Sequence, residues 1–160
     1  MTAKLFSVLA LLLLAAAVQP GYCTEEEGEM DYAPYYQQVT LELPFEEAKL
    51  KAVEALKAQG FGLLTEIDMQ AKFKEKLDKD IPKYVILGVC APGLAYRAWE
   101  KDPRVGVLLP CTVVVREDEN GNSEVLIGSP DSMAMFSPGI TEVLDDVKAK
   151  VAAVVEELQQ

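Results

Sequence analysis

The residues of this chain whose chemistry can be named first are Cys90 and Cys111. A third cysteine, Cys23, lies just beyond an apolar N-terminal run, so an even pair remains in the body of the chain. Three readings of that pair compete. Both can be small apolar residues of buried strands, because thiols pack readily in cores. They can form a disulfide closing a loop of about 20 residues, worth ~3 kcal/mol in the chain-entropy account. Or they can be a redox or ligand-binding pair, in which thiolate is the reacting form. If the strands carrying them pair antiparallel, Cys90 ends one strand and lies opposite the start of the other, several residues before Cys111. A disulfide needs Cα atoms within ~7 Å, so the register would have to cooperate.

The surroundings of Cys90 are what a functional reading would draw on. Ala91-Pro92-Gly93 opens a short helix, whose free backbone N–H groups and positive dipole end suit an anion or a thiolate. Arg97, one turn on, can clamp a carboxylate. The candidate ligand or redox residues are therefore Cys90, Cys111, Pro92, Gly93 and Arg97. Cys111 sits in mid-strand beside Pro110 without such a neighbour, so Cys90 is expected to be the more reactive thiol. The competing view of Leu94 to Lys101 (LAYRAWEK) is a structural helix with an exposed face.

Other chemistry is thin. Two thiolates with Met133 and Met135 would be soft ligands suited to copper(I). Nothing in the sequence brings those methionines to the cysteines, however, and beside Phe136 they read as satellite core. No metal and no cofactor is expected. The chain has no histidine, which removes the commonest general base and zinc ligand. Glu66, Asp68, Glu117 and Asp118 occupy strand ends or turns, where solvated acids are ordinary, and no acid–base pair stands out. Phosphate loops, nucleophile elbows and Cys-x-x-Cys motifs are absent. No catalytic residue is nameable.

The elements that must position the cysteines follow from periodicity. Half of the 160 residues are apolar, enough for one domain with a single core. Lys4 and the run Leu5–Val18, broken at Pro20-Gly21, read as a signal peptide over residues 1–23. About 14 apolar residues fall short of the ~20 that a spanning helix needs, so no stable membrane span is expected after cleavage. Cleavage is placed after Ala17 or Cys23, and the bulky Tyr22 argues against lipidation of Cys23. Residues 24–38 form an acidic, tyrosine-bearing lead-in. A formal charge of −11, from 15 basic and 26 acidic residues, argues against nucleic acid as a partner.

Residues 39–160 read as one α+β domain. Strands are expected at Val39–Phe45, Phe61–Ile67 (Phe61, Leu63, Thr65 and Ile67 on one face), Tyr84–Cys90, Val105–Arg116 and Ser123–Ile127. Helices are expected at Glu46–Gln59, after Asp68, at Leu94–Lys101 and from Gly139 to Leu158, with Gly128–Pro138 a loop. Gly60 suits a helix end and Asn120-Gly121 a hairpin turn. The architecture is an antiparallel sheet with the two long helices on one face.

The stretch from Phe61 to Asp118 resembles the bacterial and archaeal domain of unknown function numbered 302, in its cysteine-containing branch. The features that carry the resemblance are Gly88-x-Cys90 at a strand end, the helix Leu94 to Ala98, and Leu108 to Cys111 in the next strand. With flanking helices it covers about Val39 to Leu158. One departure is Ala91-Pro92 where the family usually has Asn-Pro. The resemblance implies a β-α-β(4)-α sheet like the TATA-binding-protein superfold and a homodimer, and brings no activity. It also implies that the cysteines, shared with intracellular relatives, are less suited to a simple structural disulfide. The leading expectation is an exported, non-catalytic module binding a small molecule or carrying a thiol at Cys90 and Cys111. The alternatives are a thiol-dependent enzyme and an acidic interaction or assembly domain whose cysteines are core.

Overall fold

The structure, a computed structural model, describes residues 35–160. The expected signal peptide and residues 24–34 of the expected lead-in lie outside the described residues. Among those described, no helix is long and apolar enough to cross a membrane.

Five strands make one antiparallel sheet: β1 (Tyr36–Leu41), β2 (Gly62–Asp68), β3 (Tyr84–Cys90), β4 (Cys111–Glu117) and β5 (Ser123–Gly128), in the order β1-β5-β4-β3-β2. Among the described residues five α-helices accompany them: α1 (Phe45–Ala58), α2 (Met69–Leu77), α3 (Pro92–Lys101), α4 (Pro130–Phe136) and α5 (Thr141–Leu158). The fold is α+β, as the patterning predicts.

Alternation along the strands builds the core. Val39 and Leu41, Val85, Leu87 and Val89, Val113 and Val115, and Val125 and Ile127 are the buried apolar residues of their strands. They share one cluster with Phe45, Ala48, Ala52 and Leu56 of α1 and Val147, Val151, Val154 and Leu158 of α5. The two helices also satisfy each other's C-terminal carbonyls. Lys51 donates to Leu158 O at 3.0 Å, and Lys150 to Gln59 O at 2.8 Å. Such lone carbonyls need partners, and a cation there also suits the helix dipole. Local signals hold where expected. Asp68 accepts from Ala71 N–H at 2.8 Å to start α2, and Gly60 and Gly121 both take φ of +83°.

Four segments differ from the sequence reading, each for a physical reason. First, β1 begins at Tyr36 rather than Val39, because Tyr36 to Leu41 all find partners on β5. Second, Phe61, Leu63, Thr65 and Ile67 do not share one face. An irregularity between Leu63 and Thr65 sets Leu63 opposite Val89 but Thr65 opposite Gly88, so the facing changes midway and all of β2 is exposed. Third, Val105 does not start a strand. Asp102 accepts from Arg104 N–H at 3.0 Å and Pro103 opens a 3-10 helix, Pro103–Leu108, so β4 starts only at Cys111. Fourth, Gly128–Pro138 is not a loop. Ser129, with Pro130 first in the helix, accepts from Asp131 N–H at 3.3 Å and starts α4.

Candidate functional site

The late start of β4 changes the relation between the cysteines. Cys111 pairs with Val89, so Cys90, the next residue of β3, is one step out of register with it on the neighbouring strand. The expectation that Cys90 lies several residues away from Cys111 is thereby corrected. Both are free thiols, half-buried at the same end of the sheet. Cys111 packs against the main core, as do Ala91 and Leu94 at the start of α3.

Two apolar cavities meet at this end. The larger, of about 200 Å³, is walled by Phe61, Val89, Cys111, Met133, Val147 and Val151, among others. Its polar lining is largely engaged elsewhere: Ser129 caps α4, and the Ser132 hydroxyl donates to Ser129 O at 2.7 Å. The smaller, of about 40 Å³, is lined by both Cys90 and Cys111, by Leu94 of α3 and by Val143 and Leu144 of α5. Phe61, Cys111, Met133 and Val147 line both cavities. Cys111 therefore stands in the wall between them, and Cys90 borders the smaller one.

Electrostatics there runs against a reactive thiolate. Burial pushes the Cys90 thiol up. Burial pushes Cys111 up as well, and the neighbouring Cys90 adds to it. Both thiols are thus pushed toward the neutral form that suits an apolar wall.

The other candidates lie apart from the cavities. Pro92 and Gly93 are exposed at the first turn of α3, and the side chain of Ala91, which precedes them, faces the smaller cavity. Arg97 is exposed and its Nη1 donates to Asp146 Oδ2 of α5 at 2.6 Å, so it clamps two helices instead of facing the thiols. Tyr96 and Trp99 stack on the outer side of the same helix, centroids 6.1 Å apart. Met133, which nothing in the sequence links to the cysteines, lines both cavities, because α4 exists and carries it there. The Ser129-Pro130-Asp131 start signal was the clue available in the sequence.

A groove also crosses the opposite side of the sheet, among Tyr36, Tyr84, Val114, Arg116 and Leu126. Its charges are satisfied internally: Arg116 binds Glu124 at 2.6 Å, and Gln38 donates to the same carboxylate at 2.7 Å. Among the described residues no three His, Cys, Asp or Glu side chains gather as metal ligands.

Comparison with known proteins adds a family. Residues 37–158 match the family model described as "Domain of unknown function DUF302". The chain is also similar to a solved structure described as an uncharacterised conserved DUF302 protein from Bacillus stearothermophilus. The identity is 28%, the TM-score 0.72, and the match covers 78% of this chain and 98% of that one. No curated protein matches the chain.

Proposed function

The chain belongs to the DUF302 family of domains of unknown function, and we propose that this member is a non-catalytic binding module for a small apolar molecule. The observation that carries the reading is the cavity of about 200 Å³ with Cys111 in its wall. Apolar pockets with few polar groups are the usual seats of small ligands. Thiols kept neutral by burial suit a contact surface better than a nucleophile, which disfavours the enzyme alternative. Pro92, Gly93 and Arg97 then serve as scaffold, the first two starting α3 and the third tying it to α5. The same reading takes α1 and α5 as two helices on one face of the sheet, in the manner of the TATA-binding-protein superfold. Their shared cluster with the strands supports it.

The test uses 1-aminoanthracene, a rigid apolar fluorophore whose emission rises on leaving water. Saturable one-to-one uptake is expected. Val151→Phe fills the cavity and should weaken uptake about tenfold or more, a loss of at least ~1.4 kcal/mol, without lowering the thermal midpoint. Iodoacetamide labelling of Cys111 in the folded protein should be slow, and slower still with probe bound. A wild-type protein without saturable uptake, or a Val151→Phe variant that binds equally well, refutes the proposal.

The module is proposed to act outside the cytoplasm. Lys4 followed by the apolar run Leu5–Val18 supports export. Intact mass of the protein recovered from its host should show a chain beginning at Val18 or Thr24. A chain still beginning at Met1 or Thr2 removes that address.

A further inference from the structure

We propose that Cys90, Cys111 and Met133 form a binding site for copper(I) in the smaller of the two cavities. The three residues come from the end of β3, the start of β4 and the middle of α4, and all three line that cavity. Its other lining side chains are hydrocarbon, among them Phe61, Leu94, Val105, Ile140 and Leu144. Cys90, Cys111 and Met133 are therefore the only lining residues whose side chains carry a heteroatom. The site goes beyond the apolar-ligand reading and does not depend on it.

The donor set selects the ion. Thiolate and thioether are soft ligands, and among biological metals they favour copper(I). Zinc would take these thiolates too, but it asks for four nitrogen, oxygen or sulfur ligands in a closed structural site. The cavity offers neither imidazole nor carboxylate to complete that set. Copper(I) is satisfied by two or three soft donors and by the exclusion of water. The register brings the two backbones together, Cys111 pairing with Val89, the residue before Cys90, and both cysteines border the same cavity.

Binding is ligand exchange without a change of oxidation state. Copper(I) arriving on a weak carrier forms one bond to each cysteine sulfur, and both S–H bonds give up their protons to solvent. The Met133 thioether donates a lone pair and loses nothing. One positive ion and two neutral thiols become a bis-thiolate complex of charge −1 plus two protons. The residual negative charge sits by the first turn of α3, a ten-residue helix that begins at Pro92, two positions past Cys90. A helix N-terminus favours such a charge.

The experiment titrates the reduced protein with copper(I) in the absence of oxygen, against the chromogenic chelator bicinchoninate. One equivalent should leave the chelator, with a thiolate-to-copper charge-transfer band appearing in the ultraviolet. Cys90→Ser and Cys111→Ser should each weaken binding by more than the roughly 10–100-fold that loss of an outer-shell partner costs. Met133→Leu keeps the volume and the fold, and should weaken binding about tenfold, the lower end of that range. Far-ultraviolet circular dichroism and 1-aminoanthracene uptake are read on every variant. Loss of copper with retained probe uptake separates this site from the larger cavity. A wild-type protein that leaves copper on the chelator, or wild-type affinity in either serine variant, overturns the site. Unchanged affinity in Met133→Leu overturns the three-sulfur arrangement.

Discussion

Val154→Asp is expected to abolish the folded state. Val154 is fully buried on the inner side of α5, in the cluster that joins both long helices to the sheet. A carboxylate there has no cation and no hydrogen-bond donor, and the effective cost of burying such an ion is several kcal/mol. Protonation would lower that cost but would still leave a polar group in hydrocarbon. Domains of this kind are stable by only about 5–15 kcal/mol, so a loss of this size removes most of the margin. The control is Ala152→Asp on the exposed side of the same helix, where a surface change stays within about 0.5 kcal/mol. Thermal melts followed by circular dichroism should show a cooperative transition for Ala152→Asp and none near it for Val154→Asp. A Val154→Asp midpoint within a few degrees of wild type would mean that α5 does not seal the core.

Helix α5 also shows what in this chain could be read without coordinates. Its stripe of Val143, Val147, Val151, Val154 and Leu158 repeats over about four turns, and a pattern that long has one explanation. Helix α1, with 14 residues, was legible for the same reason. Short apolar runs carry no such redundancy. Val105, Val107 and Leu109 alternate like a strand, yet Asp102 and Pro103 start a 3-10 turn that leaves Val107 88% exposed. In β2 a single irregularity inverts the facing, which no alternation count can detect.

The candidate site was legible only in its cysteines. Their proximity depends on where β4 starts, and that is decided by the turn before it. The cavities depend on more still. Phe61 follows α1, Met133 lies on α4 and Val147 on α5, and they meet because the sheet and helices close around them. A loop assigned to Gly128–Pro138 leaves Met133 unplaced, so the sequence names the sulfur donors without bringing them together. Arg97 misled in the opposite direction. Its place one turn after Pro92 suggested an anion clamp, but its partner is Asp146, which lies 49 residues further along the chain.

Gly88→Ala should be the most damaging single-methyl change at this end of the sheet. Gly88 lies in β3 between Leu87 and Val89, which face the core, so its own missing side chain points to the other side. A Cβ there would run into Thr65 Oγ1 of β2 and would lie 2.8 Å from Pro110 Cγ. The threonine hydroxyl can rotate away. The Pro110 ring cannot, because it immediately precedes Cys111, whose pairing with Val89 starts β4. Overpacking of this kind costs about 1–3 kcal/mol, which in a domain of this size lowers the thermal midpoint by roughly 3 °C for each kcal/mol. The double variant Gly88→Ala with Thr65→Ala separates the two clashes. Removing the threonine side chain should restore only part of the lost stability, since the proline contact persists. The same displacement of Pro110 carries Cys111 with it, so Gly88→Ala should also speed iodoacetamide labelling of Cys111. If Gly88→Ala melts with wild type and labels at the wild-type rate, Pro110 does not rest on β3. The close approach that brings Cys111 beside Cys90 would then need another cause.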